Sequence, residues 1–262
     1  MTALMNNPIC DMHIHTRFSC DSDVDLEDYC LAAIQKGVDV ICFTDHLDSN
    51  PADLGYGYYD AKKYFNEYYF VKEKYSEKLT ILCGIEFGDP HMYQDIFFEY
   101  MSMDFDYILA TIHFWYKDLY PSVMVDSGVP IDICYEYYWD EVLQAVKAGG
   151  FDCLGHMDFP KRYYKGMVYD PDKISEIFRV MIANTISLEI NTSNLRQQMT
   201  ETMPDKELLS IYKESGGKYV TIGSDAHETE SLSDGNNYAK KLIDFFGFEE
   251  VYFSKRALHS VF

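Results

Sequence analysis

The sequence predicts an α/β barrel in one domain spanning residues 1–262. Three observations carry that reading. Seven apolar, β-rich runs alternate with stretches of helical pattern, as expected of parallel strands joined by crossover helices. Histidines and carboxylates stand at the C-terminal ends of nearly all the runs, and in a barrel those ends meet in one place. No Gly-x-Gly-x-x-Gly follows the first run, so the mark of an open dinucleotide-binding sheet is missing.

Taken in order, the first run (9–14) leads into His13-Ile14-His15. Strand side chains at i and i+2 point the same way, so both imidazoles can converge on one ion. A helix over 26–36 follows, closed by Gly37 where a left-handed cap is wanted. The second run (38–44) ends in Thr44-Asp45-His46. The next helix, 59–74, has Asp60 as its N-cap before Ala61. The third run (79–87) carries Gly84-Ile85-Glu86 and the fourth (107–114) Thr111-Ile112-His113. A helix over 135–148 ends at Gly149, and the fifth run (153–156) ends in Gly155-His156.

The helix over 171–184 starts from Asp170 with proline at its first position. The sixth run is 186–191. A helix over 206–215 ends at Gly216, and the seventh run (219–222) leads into Gly223-Ser224-Asp225-Ala226-His227. A last helix, 235–246, is closed by Gly247. Six of the eight histidines thus fall at strand ends. One of them alone would read as a hydrogen-bonded core residue. Six, accompanied by Glu86 and Asp225, read as metal ligands.

Composition narrows the function. A length of 262 suits one large domain, and 47% hydrophobic residues suffice for a core. No apolar run approaches the roughly 20 residues that span a bilayer, and the start of the chain lacks a basic segment leading into an apolar signal core. No membrane association is expected, and a cytoplasmic location is. The seven cysteines form no Cys-x-x-Cys pair and read as small buried hydrophobes in a reducing compartment. A formal charge of −21, with no basic cluster longer than a dipeptide, argues against long nucleic acid as a partner. It leaves room for a small phosphorylated substrate, because bound cations would neutralise part of the acidity locally. The oligomeric state is not legible.

The ordered set of His13-Ile14-His15, Thr44-Asp45-His46, Gly84-Ile85-Glu86, His113, Gly155-His156 and Gly223-Ser224-Asp225-Ala226-His227 resembles the motifs of the polymerase and histidinol phosphatase (PHP) family. The resemblance runs from residue 11 to 227. It implies a distorted TIM-like barrel of seven β/α units with a trinuclear centre of divalent zinc, manganese or iron. By position, His13, His15, Glu86 and Asp225 would hold one ion. Glu86 would bridge to a second held by His113 and His156, and His46 and His227 would hold the third. The remaining ligand of the third ion falls at Asp21, where many members have histidine. Asp45 would orient His46 or a neighbouring ligand from behind rather than bind metal.

Such a centre lowers the pKa of a shared water for attack on phosphorus, and Glu86, Asp225 and His227 would be the catalytic members. Arg162 and Arg196 lie in loops resembling the histidinol-phosphatase branch, where arginines grip the substrate phosphate. Asn194 stands where glycine is expected, and the segment after His113 lacks an Asp-Gly turn, so the pocket above the metals is expected to be reshaped. His91, five residues past Glu86, is expected to contact substrate. Tyrosines beside Arg162 would line a pocket for a small ring. The leading reading is a metal-dependent phosphomonoesterase releasing phosphate from L-histidinol phosphate in histidine biosynthesis. The alternatives are a phosphoesterase of another small phosphate ester, mononucleotide or diester, and a non-catalytic metal-binding regulatory protein.

Overall fold

The computed structural model describes residues 8–164, 166–197 and 199–261. Its strands are β1 (Cys10–Ile14), β2 (Val40–Phe43), β3 (His46–Leu47), β4 (Thr80–Gly88), β5 (Tyr107–Thr111), β6 (Cys153–Leu154), β7 (Ser187–Asn191), β8 (Tyr219–Gly223), β9 (Glu249–Ser254) and β10 (Ala257–Ser260). The helices are α1 (Leu26–Lys36), α2 (Ala61–Tyr75), α3 (Gln94–Met101), α4 (Pro121–Asp126), α5 (Ile131–Ala148), α6 (Pro171–Ala183), α7 (Ser193–Arg196), α8 (Lys206–Glu214) and α9 (Asn236–Phe246). The order across the sheet is β1-β2-β4-β5-β6-β7-β8-β9-β10, parallel as far as β9, with the two-residue β3 pairing β4 as well.

The seven expected strands close into a distorted barrel. The segment just past β8 returns to β1, where Asp225 N–H donates to the His13 carbonyl and His15 N–H to the Ala226 carbonyl, both at 2.8 Å. The start of β8 pairs instead with β9, through Tyr219 and Glu249. The strand therefore forks. Its upper end completes the barrel while its lower end carries the antiparallel β9–β10 hairpin outward.

Side chains alternate between two apolar clusters, as the period of a strand requires. Cys10, Met12, Val40, Cys42, Leu82, Leu109 and Cys153 form one cluster, with Val251 and Phe253 of the hairpin. Residues of opposite parity, among them Ile41, Phe43, Ile81, Ile85, Ile108 and Leu188, pack under the helices. One irregularity matters for the site. Asp11 pairs with Ile41, but Ile14 pairs with Phe43, so β1 holds one extra residue against β2. This bulge shifts the parity after Met12 and turns His13 and His15 inward above the Cys10–Met12 row.

Helix boundaries follow their local chemistry. Asp60 accepts from Lys63 N–H at 3.1 Å and Asp170 from Asp172 N–H at 3.0 Å. Gly37 and Gly247 are left-handed caps, with φ of 71° and 65°. Gly149 has positive φ but extended ψ, so it turns the chain without closing a left-handed cap. Helix α5 starts at Ile131, before the expected 135, because Pro130 sits extended at the N-cap and its carbonyl accepts from Cys134 N–H. The sequence reading did not anticipate β3, α3, α4, α7 or the β9–β10 hairpin.

Candidate metal centre

Each motif delivers its side chain to the C-terminal mouth of the barrel. His13 and His15 come from the end of β1 and the turn after it, His46 from β3, and Glu86 from β4. His113, His156, Asp225 and His227 follow β5, β6 and β8. His156 and Asp225 have positive φ, 22° and 54°, so the chain turns sharply where it presents them. Below them Gly223 makes room: a Cβ there would lie 2.5 Å from His13 Cβ and 2.1 Å from Glu189 Oε1.

Four donor atoms converge at the first cluster. His13 Nε2 and His15 Nε2 are 2.9 Å apart. Glu86 Oε2 is 3.4 Å from each. Asp225 Oδ1 is 3.8 Å from His13 Nε2 and 3.3 Å from His15 Nε2. Donors about 2.0–2.2 Å from a tetrahedral cation stand roughly 3.3–3.6 Å apart, so this spacing fits one ion. The other Glu86 oxygen, Oε1, lies 2.9 Å from His156 Nε2 and 3.7 Å from His113 Nε2. Its carboxylate thus reaches both clusters. A third group joins Asp21 Oδ2 to His227 Nε2 at 3.1 Å and to His46 Nε2 at 3.5 Å.

The hydrogen bonding fits cation ligation better than self-association. Glu86 Oε2 and His46 Nδ1 are only 2.9 Å apart, yet both are buried with no hydrogen-bond partner. Four imidazoles are pinned through Nδ1, leaving Nε2 directed inward: His13 on Glu189 Oε1 (2.6 Å), His15 on Ser19 Oγ (3.1 Å), His113 on Asp48 Oδ1 (3.3 Å) and His227 on the Asp225 carbonyl (3.1 Å). Such partners fix the tautomer and raise ligand basicity.

Imidazoles and carboxylates pair electrostatically in the cluster: against burial, which lowers them, the facing carboxylates hold His13, His46, His113 and His227 above the usual imidazole range. Burial would raise the Glu86 and Asp225 carboxyls, but His13, with His46 beside Glu86, outweighs it and holds both well below the usual range. Burial and the neighbouring His227 and His46 push His15 down to about 3, keeping it neutral as a metal ligand must be. Asp45 does not face the donor cluster. Its carboxylate accepts from Thr16 N–H at 2.6 Å and Ser19 Oγ at 2.9 Å. Ser19 Oγ in turn accepts from His46 N–H at 2.9 Å, so Asp45 braces His15 and His46 through the serine.

A cavity of about 450 Å³ opens above these groups. Arg162 lines it, with its guanidinium 5.3 Å from the Phe159 ring centre, 2.7 Å from Ser193 Oγ and 3.2 Å from Asp225 Oδ2. The structure departs from expectation at three places. Arg196 is not among the described lining residues, because its guanidinium is turned onto the Asp225 carbonyl at 3.0 Å. His91 is not among them either. Its Nε2 lies 2.7 Å from Glu141 on α5, which holds the ring away from the mouth. The lining tyrosine is Tyr120 from ahead of α4, and Tyr163 packs behind it, with a hydroxyl contact of 3.0 Å and ring centres 5.7 Å apart.

Sequence reasoning missed Asp48 and Glu189. Asp48 lies 3.8 Å from His46 and 3.3 Å from His113, and His46-Leu47-Asp48 repeats the i, i+2 spacing of His13 and His15. Glu189 also accepts from His156 N–H at 2.7 Å, so one carboxylate braces two histidines. Its signal was a carboxylate inside the apolar strand Ser187–Asn191.

A parallel barrel gathering imidazoles and carboxylates around cation-sized gaps at its C-terminal mouth is the architecture of a metal-dependent barrel enzyme. The PHP domain family matches residues 11–193, and the chain belongs to that family. It is 31% identical to a probable histidinol-phosphatase of Clostridium acetobutylicum, over 95% of this chain and 98% of the relative. It is 30% identical to one of Thermotoga maritima, over 91% and 93%. The solved histidinol phosphate phosphatase of Lactococcus lactis, complexed with zinc, L-histidinol and phosphate, superposes with a TM-score of 0.85 at 25% identity. The match covers 96% of this chain and 98% of that one.

Proposed function

We infer that this chain is a metal-dependent histidinol-phosphatase, hydrolysing L-histidinol phosphate to L-histidinol and phosphate. The full-length similarity to histidinol-phosphatases supports the substrate. The observation that carries the chemistry is Glu86, whose two oxygens face two donor clusters in the cavity that Arg162 also lines. In this reading His13, His15, Glu86 and Asp225 hold one cation, Glu86, His113 and His156 a second, and Asp21, His46 and His227 a third. Asp48 stands ready between the last two. Zinc in the Lactococcus lactis protein and the mixed nitrogen and oxygen donor set support zinc or a neighbouring divalent ion.

Bound cations would supply Lewis acidity, lowering the pKa of a water and drawing charge from the phosphoryl oxygens. The chain's own residues supply the rest. Arg162, half-buried beside the Phe159 ring, offers a planar fork to two phosphate oxygens. Arg196 acts from behind, holding the Asp225 main chain in its left-handed turn. Glu189 and Ser19 hold ligand rings in place before substrate arrives. No described helix is long and apolar enough to cross a membrane. With seven free cysteines, the protein fits a reducing cytoplasm.

The test is phosphate release by protein reconstituted with zinc or manganese, comparing L-histidinol phosphate with sugar phosphates, nucleotides and bis(p-nitrophenyl) phosphate. A large kcat/KM preference for histidinol phosphate is expected. Turnover confined to the diester or to nucleotides would overturn the substrate while keeping the centre.

A further inference from the structure

The walls of the cavity carry a carboxylate that the centre does not use. Asp48 is engaged with His46 and His113, Asp21 with His46 and His227, and Asp225 with Arg162. Asp53 also lines the cavity. Its Oδ1 accepts from Gly55 N–H at 2.6 Å, but among the described residues no lysine, arginine or histidine is within ion-pair distance of it.

The loop that carries Asp53 is built to hold it there. Asp53 N–H donates to the Asn50 carbonyl at 2.9 Å, and the Asp53 carbonyl accepts from Tyr56 N–H at 3.2 Å. Tyr59 is buried behind the loop. Gly55 lets the backbone come close. A Cβ at that position would lie 2.9 Å from Asp48 Oδ2 and 3.2 Å from Asp53 Oδ1. Burial and nearby Asp48 raise the Asp53 carboxyl above its ordinary value, against the weaker opposing pull of His113 and His46. The rim beside it is apolar: Leu54, 94% exposed, stands with Phe114, Tyr120 and Val123 at the cavity edge.

Resting on the phosphomonoesterase reading above, we propose that Asp53 determines specificity by receiving the ammonium group of a cationic phosphomonoester whose ring lies against Leu54, Phe114, Tyr120 and Val123. The phosphate end is drawn to the centre and Arg162, and the opposite end of the substrate meets a carboxylate, so the two ends read opposite charges. A substrate with a second anionic group would meet Asp53 as a like charge and be rejected. L-Histidinol phosphate, with one amine and one flat ring, satisfies both walls.

The test uses Asp53→Asn in metal-reconstituted protein. The amide oxygen still accepts from Gly55 N–H, so the loop is kept while the charge is lost. For L-histidinol phosphate kcat/KM is expected to fall roughly ten- to hundredfold, mostly through KM. p-Nitrophenyl phosphate turnover and metal content should stay within about twofold of wild type, showing the centre intact. A second measurement leaves the protein unaltered: wild type should lose a similar factor on 3-(imidazol-4-yl)propyl phosphate, which lacks the amine. Equal losses by the variant on histidinol phosphate and p-nitrophenyl phosphate, or undiminished turnover of histidinol phosphate by the variant, would overturn the role of Asp53 while wild-type hydrolysis stood. Wild type without any preference for histidinol phosphate would instead overturn the functional reading.

Discussion

Both ends of the barrel bury aspartates and glutamates, and they treat them in opposite ways. At the base, Asp106 and Asp152 precede β5 and β6 and are saturated by the chain. Asp106 accepts from Cys83 N–H at 3.0 Å, Tyr68 Oη at 3.0 Å and Lys255 N–H at 2.8 Å. Asp152 accepts from Ile108 N–H at 2.8 Å and Arg256 Nε at 2.5 Å. These bonds tie adjacent strands and the β9–β10 hairpin together. At the mouth, Glu86 and Asp225 face imidazoles, and Glu86 Oε2, His46 Nδ1 and His156 Nδ1 have no hydrogen-bond partner. A buried carboxylate surrounded by its own main-chain donors holds the fold. One surrounded by other ligand atoms awaits a cation.

The strongest way to break the comparison is Glu86→Gln. Metal charge contributes several kcal/mol to such a transition state and each step of about 1.4 kcal/mol is tenfold, so kcat should fall roughly a thousandfold or more. Bound metal, counted by mass spectrometry, should fall with it while circular dichroism is unchanged. Retained activity with full metal would mean that the bridging carboxylate is not part of the centre.

Metal removal sharpens the contrast. An ion that binds only the folded state at a thousandfold its Kd adds about 4 kcal/mol. Chelation should therefore lower the unfolding temperature by about 10 °C for a chain of this size. The shift should persist in a protein altered at the base and shrink sharply in Glu86→Gln. An unfolding curve insensitive to chelator, with activity gone, would place the ions outside the buried donors.

At the base the expected loss is of stability, not of activity. Asp106→Ala strands Cys83 N–H, the Tyr68 hydroxyl and Lys255 N–H. Buried donors left unpaired cost about 1–3 kcal/mol each, and with partial relaxation the protein should lose about 3 kcal/mol. Urea unfolding measures that, and kcat/KM should stay within about twofold of wild type. A fall in kcat without loss of stability would mean that base and mouth are coupled.

The two ends were not equally legible. The convergence of side chains at the mouth could be read because its imidazoles and carboxylates sit where a motif and a strand end coincide, and His13-Ile14-His15 states its own geometry. The seven strands and most helices could be read because apolar period and glycine or aspartate caps act locally. The roles of Asp106 and Asp152 depend on main-chain donors from neighbouring strands, a register no local pattern encodes. Glu189 is a carboxylate inside an apolar strand, a local signal, but its partner His13 comes from β1 on the far side of β8, which no local pattern encodes. The expectation for Arg196 rests on its loop's resemblance to the histidinol-phosphatase branch, and that for His91 on its position after Glu86. Their partners, the Asp225 carbonyl and Glu141, come from distant segments that turn both side chains away from the cavity.

Glu250 on β9 makes the finest test of the rule, since it is a buried carboxylate at the base that the chain does not saturate. Its Oε1 has no partner, and Lys240 Nζ lies 3.6 Å from Oε2. Burial pushes its carboxyl up to about 7, with Lys240 opposing. No imidazole cluster surrounds it, so a proton rather than a cation is the expected answer to its isolation. The folded state then holds that proton at pH values where the unfolded chain, near 4.5, has lost it. The stability so gained is present in full below about 4.5 and is lost as the pH rises to about 7. Glu250→Gln removes the titration, so wild type should lose stability relative to the variant between pH 5 and pH 8, by an amount of order 1–2 kcal/mol. Parallel stability curves would show Glu250 ionised throughout, and the rule would then fail for a lone carboxylate even if it held for Glu86.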